Sequence, residues 1–485
     1  MENPLLGIFV IPVMAFVIYG ACLRGTFVFD DIPTIFRNKA IMAGNWRTKL
    51  TSVWRSIPMA SYAAEVKMWN PQTYKGGQPP DPFSFHVVNV IIHILNSFAV
   101  AWILLGLGNG PSLSTLGALI FVSLPLATSA AAYISARSSL ISSLFGFLAI
   151  GCVLHSLTLL AFPLLALAII SKEDTVILAV PLTVIALMTG TQLWTIFFLV
   201  PTVLLFHKRR QLVNLFTHNG NSNMLIYKVE SAFPQPVHAI TTFTEAVLRF
   251  PCWMFGGLQN PDPLIRPVSI LSLRFVTALG ILLNAVAMAA LWEPFRLPLL
   301  LMVVSPAAVY AGIPLADQIF EYRFYFSCLG IALFFTALVP LLPVAAVVLG
   351  IAGLASMAAF RAAMWNNDPD LWGWAVASGS ALKVRPLQNL GCFYKLRNMK
   401  ALARKYLTVA VQVNPNSGVS LCDLADLEAT SGEPEKALKW LEQSIENCPE
   451  FPQGWEYMKN LQTHFGNLDR AAECEKELVA LGAGG

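Results

Sequence analysis

Asp30 and Asp31 stand side by side just past the first apolar stretch, 5–22. Carboxylates are costly beside lipid and are usually kept there for chemistry. A like-charged pair also shares its protons unevenly, which holds one member ready as a base. Farther on, His86, Asn89, His93 and Asn96 recur at helical spacing and share one face of an otherwise apolar helix, a face that must turn toward protein or water. Hydrogen bonding between helices is the plainer reading of Asn89, His93 and Asn96. His86, at the end nearest the carboxylates, reads equally as structural or functional. Arg137 lies in Ile134-Ser135-Ala136-Arg137-Ser138-Ser139, where a guanidinium either reaches for the interface or grips a phosphate with two donors. Lys172-Glu173-Asp174 interrupts apolar sequence, Glu321-Tyr322-Arg323-Phe324-Tyr325 opens another apolar stretch, and Arg55 belongs to the first long loop. Carboxylates deprotonate a hydroxyl and cations stabilise a departing phosphate. Such a set suits transfer from a lipid-linked phosphate donor, or the binding of an anion for transport.

These groups need a scaffold, and the composition says which kind. The 485 residues are 56% hydrophobic and 12% charged, against roughly 25% charged in soluble domains. The sequence reads as all-α, a polytopic membrane helix bundle with about eleven spans between 5–22 and 343–360. Residues 1–361 form the membrane body, 362–384 a connecting helix, and 385–485 a charged soluble module. The first stretch lacks a basic flank and a small-residue cleavage site, so it is expected to be retained as a span. With the N-terminus cytoplasmic, the loops 23–85 and 207–269 and the turns carrying the charges fall on the far side. His207-Lys208-Arg209-Arg210 runs against the positive-inside rule in that topology. The formal net charge of +4, without a basic stripe, gives no sign of a nucleic-acid partner. No HExxH, Walker A, GxSxG or CxxC motif is present, and the eight cysteines lack zinc-ligand spacing.

The C-terminal module repeats. Asn414-Pro415 and Cys448-Pro449 are one tetratricopeptide period apart. Small residues recur in register before each proline, as Gly391 and Ala425, Ala403 and Ala437, Ala410 and Ser444. The spacing predicts about three repeats, the last a weaker cap. Cys422 and Cys448 fall at matching ends of one helix pair, either bridged in an oxidising compartment or buried as free thiols.

In this order, the motifs resemble the polytopic GT-C glycosyltransferases with C-terminal tetratricopeptide repeats, a group that includes eukaryotic transmembrane-and-TPR O-mannosyltransferases and bacterial relatives. Phe27-Val28-Phe29-Asp30-Asp31 resembles the family's first-loop acidic motif, and Asp81-Pro82-Phe83-Ser84-Phe85-His86-Val87-Val88-Asn89 the start of its second span. Ser135-Ala136-Arg137-Ser138-Ser139-Leu140 is similar to its Gly-Arg-x-x-Leu turn, with Ala136 in place of glycine. Ser171-Lys172-Glu173 matches its Ser-Lys-Glu segment, and Glu321-Tyr322-Arg323-Phe324-Tyr325 its Glu-His-Arg-x-Tyr form, with tyrosine in place of histidine. The usual Arg-Pro of the first loop is represented only by Arg55-Ser56-Ile57-Pro58.

The resemblance implies a protein O-glycosyltransferase that moves a sugar, with inversion, from a polyprenyl-phosphate donor to a Ser or Thr hydroxyl of an exported protein. Asp30 is the implied general base and Asp31 its partner or an acceptor ligand. Arg137, Lys172 and Arg323 would contact the donor phosphate, Glu173 and Glu321 would orient those cations, and Arg55, His86 and Tyr325 fall in the remaining substrate-binding motifs. A divalent metal is compatible with Asp30, Asp31 and Glu173 near one another, and nothing in the spacing requires one. The repeats would capture the acceptor, a pilin or another envelope protein. The expected location is a bacterial inner membrane, with the site and the repeats on the periplasmic face. Two other classes remain open at this stage: a transporter or flippase for a lipid-linked anion, and a non-catalytic membrane scaffold that recruits envelope proteins.

Overall fold

The computed structural model describes residues 4–36, 38–50, 55–69, 80–188, 190, 198–200, 235–255, 260, 262–263, 265–304 and 319–482. Every regular element among them is helical. Four helices are long and apolar enough to cross a membrane: Pro82–Gly106, Ile134–Leu154, Leu273–Leu291 and Val344–Ala363. A fifth crossing follows if the bent pair Pro111–Ser123 and Pro125–Ala132 is one span, and Gly7–Tyr19, Thr158–Ser171, Asp174–Met188 and Ser327–Leu341 are shorter apolar helices. The expected spans at 191–206 and 297–315 lie largely or partly outside the described residues, as do His207 to Arg210.

Local chemistry sets these elements. Helix Pro82–Gly106 starts where Asp81 accepts the Phe83 amide at 3.0 Å and Pro82 fills the first position, two ordinary start signals. Helix Pro111–Ser123 stops at extended Leu124, and Pro125 turns the chain by 53° because proline supplies no amide hydrogen to continue the ladder. The chain then runs through three short helical turns, Pro125–Ala127, Thr128–Ala132 and Ile134–Ala136, buried except for the partly exposed Ser135. Irregular backbone inside a bundle needs side-chain partners. Asn89 donates to the carbonyls of Tyr133 and Ile134 at 3.2 and 3.3 Å, the Tyr62 hydroxyl donates to Ile134 at 2.7 Å, and Asp31 accepts from the Ser135 amide. The polar residues that stand out in the sequence therefore hold this segment in place.

Close helix contact supports the bundle. A side chain at Gly330 would stand 2.6 Å from the Pro298 carbonyl, the kind of approach that small residues allow between membrane helices. The outer helices Leu273–Leu291 and Val344–Ala363 bury only 6% and 11% of their apolar windows, leaving faces suited to lipid. Beyond Ala363, Trp365 and Trp372 bury into the main core. The connecting segment is helix Asp368–Ala375 and the turn Val376–Ser380, where Gly379 takes φ 115°. Six helices follow, Val384–Leu396, Lys400–Val413, Gly418–Thr430, Pro434–Asn447, Pro452–His464 and Leu468–Ala480, packed as successive pairs. Gly391, Ala403, Ala410, Ala425, Ala437 and Ser444 are all buried in them. A side chain at Gly391 would meet Leu407 at 2.5 Å, so that pair packs closely.

Candidate functional site

The first loop is pinned from several sides. Phe29 adopts φ 52°, a left-handed conformation that L side chains hold only when surroundings impose it. Its ring stacks on Phe320 at 5.8 Å, meets the edge of Trp372 at 5.3 Å, and has the Arg385 guanidinium 5.6 Å from its centroid. Asp368 also holds it: burial raises that carboxyl, while hydrogen bonds from the Trp372 indole and the Phe29 amide pull it back. The next residue, Asp30, is half-buried and donates its backbone N–H to the Tyr133 hydroxyl at 3.2 Å. Asp31 is fully buried, with one carboxylate oxygen on the Val28 amide at 3.1 Å and the other on the Ser135 amide at 2.7 Å. Burial pushes its carboxyl up to about 7 against the pull of hydrogen bonds from Ser135 and Val28, and the charge of Asp30 adds to the rise. The two carboxylates thus have different surroundings. Asp31 ties the loop down and Asp30 is the more accessible member.

Arg137 is placed as a keystone. It is fully buried, and its Nε donates to Asn89 at 2.7 Å, Nη1 to Ser61 and Glu65 at 3.2 and 2.8 Å, and Nη2 to the Phe85 carbonyl at 3.0 Å. The Tyr62 ring lies 4.4 Å from the guanidinium. Its donors face protein, so a donor phosphate has no route to it in this arrangement. Glu65, 72 positions away in sequence, is the partner that sequence reading does not find.

The cations gather elsewhere. Lys172, Asp174, Arg323, Tyr322 and the hydroxyls of Ser139, Ser142, Ser143 and Thr175 line one cavity at the N-terminal end of helix Arg137–Leu154. Lys172 bridges Asp174 at 2.8 Å. Burial lowers the Lys172 pKa, Asp174 opposes that, and the nearby charges of Arg55 and Arg323 lower it further. Arg55, on the first loop, carries a positive φ of 50°. The Ser139 hydroxyl is buried and has no hydrogen-bond partner among the described residues. Lys172, Arg323 and Arg55 are therefore brought together, with Asp174 as the carboxylate beside Lys172 among the described side chains. The Glu173 side chain lies outside the described residues.

Four aromatic rings join the two halves of the site in a closed circuit. Phe29 lies 6.1 Å from Tyr133, Tyr133 lies 5.6 Å from Tyr322, Tyr322 lies 5.5 Å from Phe320, and Phe320 returns to Phe29. Tyr133 holds the Asp30 amide, while Tyr322 has Lys172 and Arg323 each 5.8 Å from its ring centroid. Tyr133, extended between two short helical turns, precedes Arg137 in a stretch whose chemistry looks carried by the arginine, and only the packing brings it forward.

Like Asp30, Asp31 and Arg137, three further expected site residues stand apart from this cavity. Glu321 pairs with Arg361 at the end of helix Val344–Ala363; burial raises its pKa and Arg361 opposes the rise. It orients that arginine rather than a cavity cation. The Tyr325 hydroxyl meets His93 Nδ1 at 2.6 Å, and Tyr19 meets His93 Nε2 at 3.2 Å, all three residues being buried. His86 is buried against the backbone of Gly25 and Ala132, with Nε2 about 3.1 Å from where a side chain on Gly25 would begin. Among those residues no group of three or more His, Cys, Asp or Glu side chains is placed to hold a metal ion, and both Asp31 oxygens already bind amides. The arrangement offers a half-buried aspartate on a pinned loop, a cationic cavity and an aromatic bridge between their segments. No family model matches the chain, and no curated protein matches it.

Proposed function

We propose that the chain is a membrane protein O-glycosyltransferase of GT-C type that uses a polyprenyl-phosphate sugar. The observation that carries the reading is the shared aromatic bridge: Asp30 is tied to Tyr133, and Tyr133 packs on Tyr322 beside Lys172 and Arg323. A base and an anion site so linked suit the two ends of one displacement. The acceptor hydroxyl oxygen attacks the anomeric carbon as its proton passes to the Asp30 carboxylate. The bond from that carbon to the phosphate oxygen breaks, the electron pair leaves with polyprenyl phosphate, and the configuration inverts. Lys172, Arg323 and Arg55 stabilise the charge that develops on the phosphate. Arg137 and Asp31 keep the framework that holds these groups. A bundle of about eleven spans fits the apolar content, and the C-terminal helix pairs, read as tetratricopeptide repeats, would hold an exported acceptor such as a pilin on the periplasmic side of a bacterial inner membrane.

The test is transfer itself. Purified chain in nanodiscs, a polyprenyl-phosphate hexose and an envelope-protein fraction should give acceptors heavier by one hexose. Unchanged intact masses, across mannosyl, glucosyl and galactosyl donors, would count against the reading.

A further inference from the structure

We propose that Tyr322 is the sugar-stacking platform of this site and sets which donor sugar is accepted. The inference rests on the transfer reading above and adds the residue that recognises the sugar. In such a site the phosphate end of the donor lies at the cations and the base lies beyond the anomeric carbon, so the sugar ring must occupy the interval between. The Tyr322 ring borders that interval. It lines the cavity with Lys172 and Arg323, each 5.8 Å from its centroid. It also packs at 5.6 Å against Tyr133, whose hydroxyl receives the Asp30 amide at 3.2 Å.

The four rings are not equivalent. Tyr133 and Phe320 are buried to 1% and 3% exposure, while Phe29 and Tyr322 keep partial exposure. The Phe29 ring is covered by Trp372 and Arg385. Of the four rings only Tyr322 lines the cavity, and it is partly exposed. Its ring gives a flat apolar area and its hydroxyl a polar edge, a combination matched by a pyranose with an apolar C–H face and hydroxyls around the rim. Packing against Tyr133 and Phe320 fixes the ring plane, so less freedom is lost on binding.

Binding separates this role from a general contribution to the phosphate site. Full-length chain in nanodiscs is titrated with undecaprenyl phosphate and with its mannosyl and glucosyl phosphodiesters, following tryptophan fluorescence. Wild type should bind at least one sugar-bearing lipid about ten times more tightly than undecaprenyl phosphate, a factor within reach of one good aromatic contact. Tyr322→Leu should lose that increment and keep its affinity for undecaprenyl phosphate. Tyr322→Phe should retain it, and Tyr322→His should change the ranking of the two sugars. Because the leucine variant removes packing, the phenylalanine and histidine variants carry the test if it does not fold. No sugar increment in wild type, an increment that survives in Tyr322→Leu, or an unchanged ranking in Tyr322→His would overturn the assignment. Absence of transfer by a wild type that does show the increment would instead remove the transfer reading and leave the platform in place.

Discussion

The carboxylate of Asp31 accepts the Ser135 backbone N–H at 2.7 Å and so ties the first loop to the turn that leads into Arg137. Asp30, one residue earlier, is tied to that framework through its backbone, the amide donating to Tyr133 and the carbonyl accepting from the Thr34 amide at 2.9 Å. Neighbouring carboxylates should therefore respond differently to the same change. Asp30→Asn is expected to lower transfer by about 10²–10⁴-fold, the range for losing a general base, with thermal unfolding shifted less than by the same change at the fully buried Asp31. Asp31→Asn keeps one acceptor oxygen for two amides, and a buried amide left without a partner costs about 1–3 kcal/mol. Its unfolding temperature should fall. Equal losses of transfer at equal stability would erase this division of roles.

Asp31 also predicts a pH dependence. Its carboxyl titrates at about 7 in the fold against an ordinary 3.8, chiefly because it is buried. Between those values the folded chain holds a proton that the unfolded chain has released, so stability falls as pH rises through this interval. The contribution is fully present below the ordinary value and is gone above about 7. The stability of wild type measured relative to Asp31→Asn should accordingly decrease from acid toward neutral pH. A difference that stays level or widens would mean that Asp31 is ionised throughout.

Arg137 carries the largest structural consequence. Its pairing with Glu65 is buried on both sides, at 0% and 3% side-chain exposure. Removing one member of such a pair costs about 3–5 kcal/mol because the other charge is left without compensation. Arg137→Met should lower the yield of folded protein sharply, and the double variant Arg137→Met with Glu65→Leu should recover part of it. If Arg137 instead binds the donor phosphate, Arg137→Met folds normally and loses only donor affinity. Size-exclusion profiles and donor titrations distinguish the two outcomes.

Composition and the small-residue register made the helical class and the paired C-terminal helices legible, because both follow from local chemistry. Which polar residue faces which was much less legible. His93 and Asn96 meet Tyr325 and the Leu140 carbonyl across helices, as an interior polar stripe should. Arg137 looked like a phosphate ligand because serines flank it and its partner Glu65 is distant in sequence. Glu321 and Arg323 are nearly adjacent, yet the short helical turn Glu321–Phe324 sends Glu321 to Arg361 and Arg323 to the cavity. Motif spacing identifies charged groups, but packing decides their partners. Tyr133 and Tyr322 carry no charge, and their place emerges only when three separate segments close the aromatic circuit.

The cavity makes a prediction of opposite sign for neighbouring residues. Lys172 bonds to Asp174 at 2.8 Å, so an incoming phosphate competes with that carboxylate. Lys172→Met should weaken undecaprenyl phosphate binding about tenfold, an ordinary loss for one charge-assisted contact. Asp174→Asn should strengthen it, because the site keeps its cations and loses its internal anion. A parallel loss in both variants would make the pair a structural bridge rather than part of a phosphate site.

The repeats give a prediction about sulfur chemistry. Cys422 and Cys448 are free thiols with separate partners: Cys422 Sγ lies 3.6 Å from the Ser444 hydroxyl, and Cys448 Sγ donates to the Asn416 carbonyl at 2.8 Å. Burial pushes the Cys422 thiol up to about 12 and raises that of Cys448. The thiolate is the form that reacts with alkylating agents, so both should label slowly in the folded chain at neutral pH. After unfolding without reductant both should take up one alkyl group, which peptide mass spectrometry reads directly. A linked pair of peptides spanning residues 422 and 448, released only by reductant, would show that the two helices are bridged. Rapid labelling before unfolding would show instead that the packing around Ser444 opens readily.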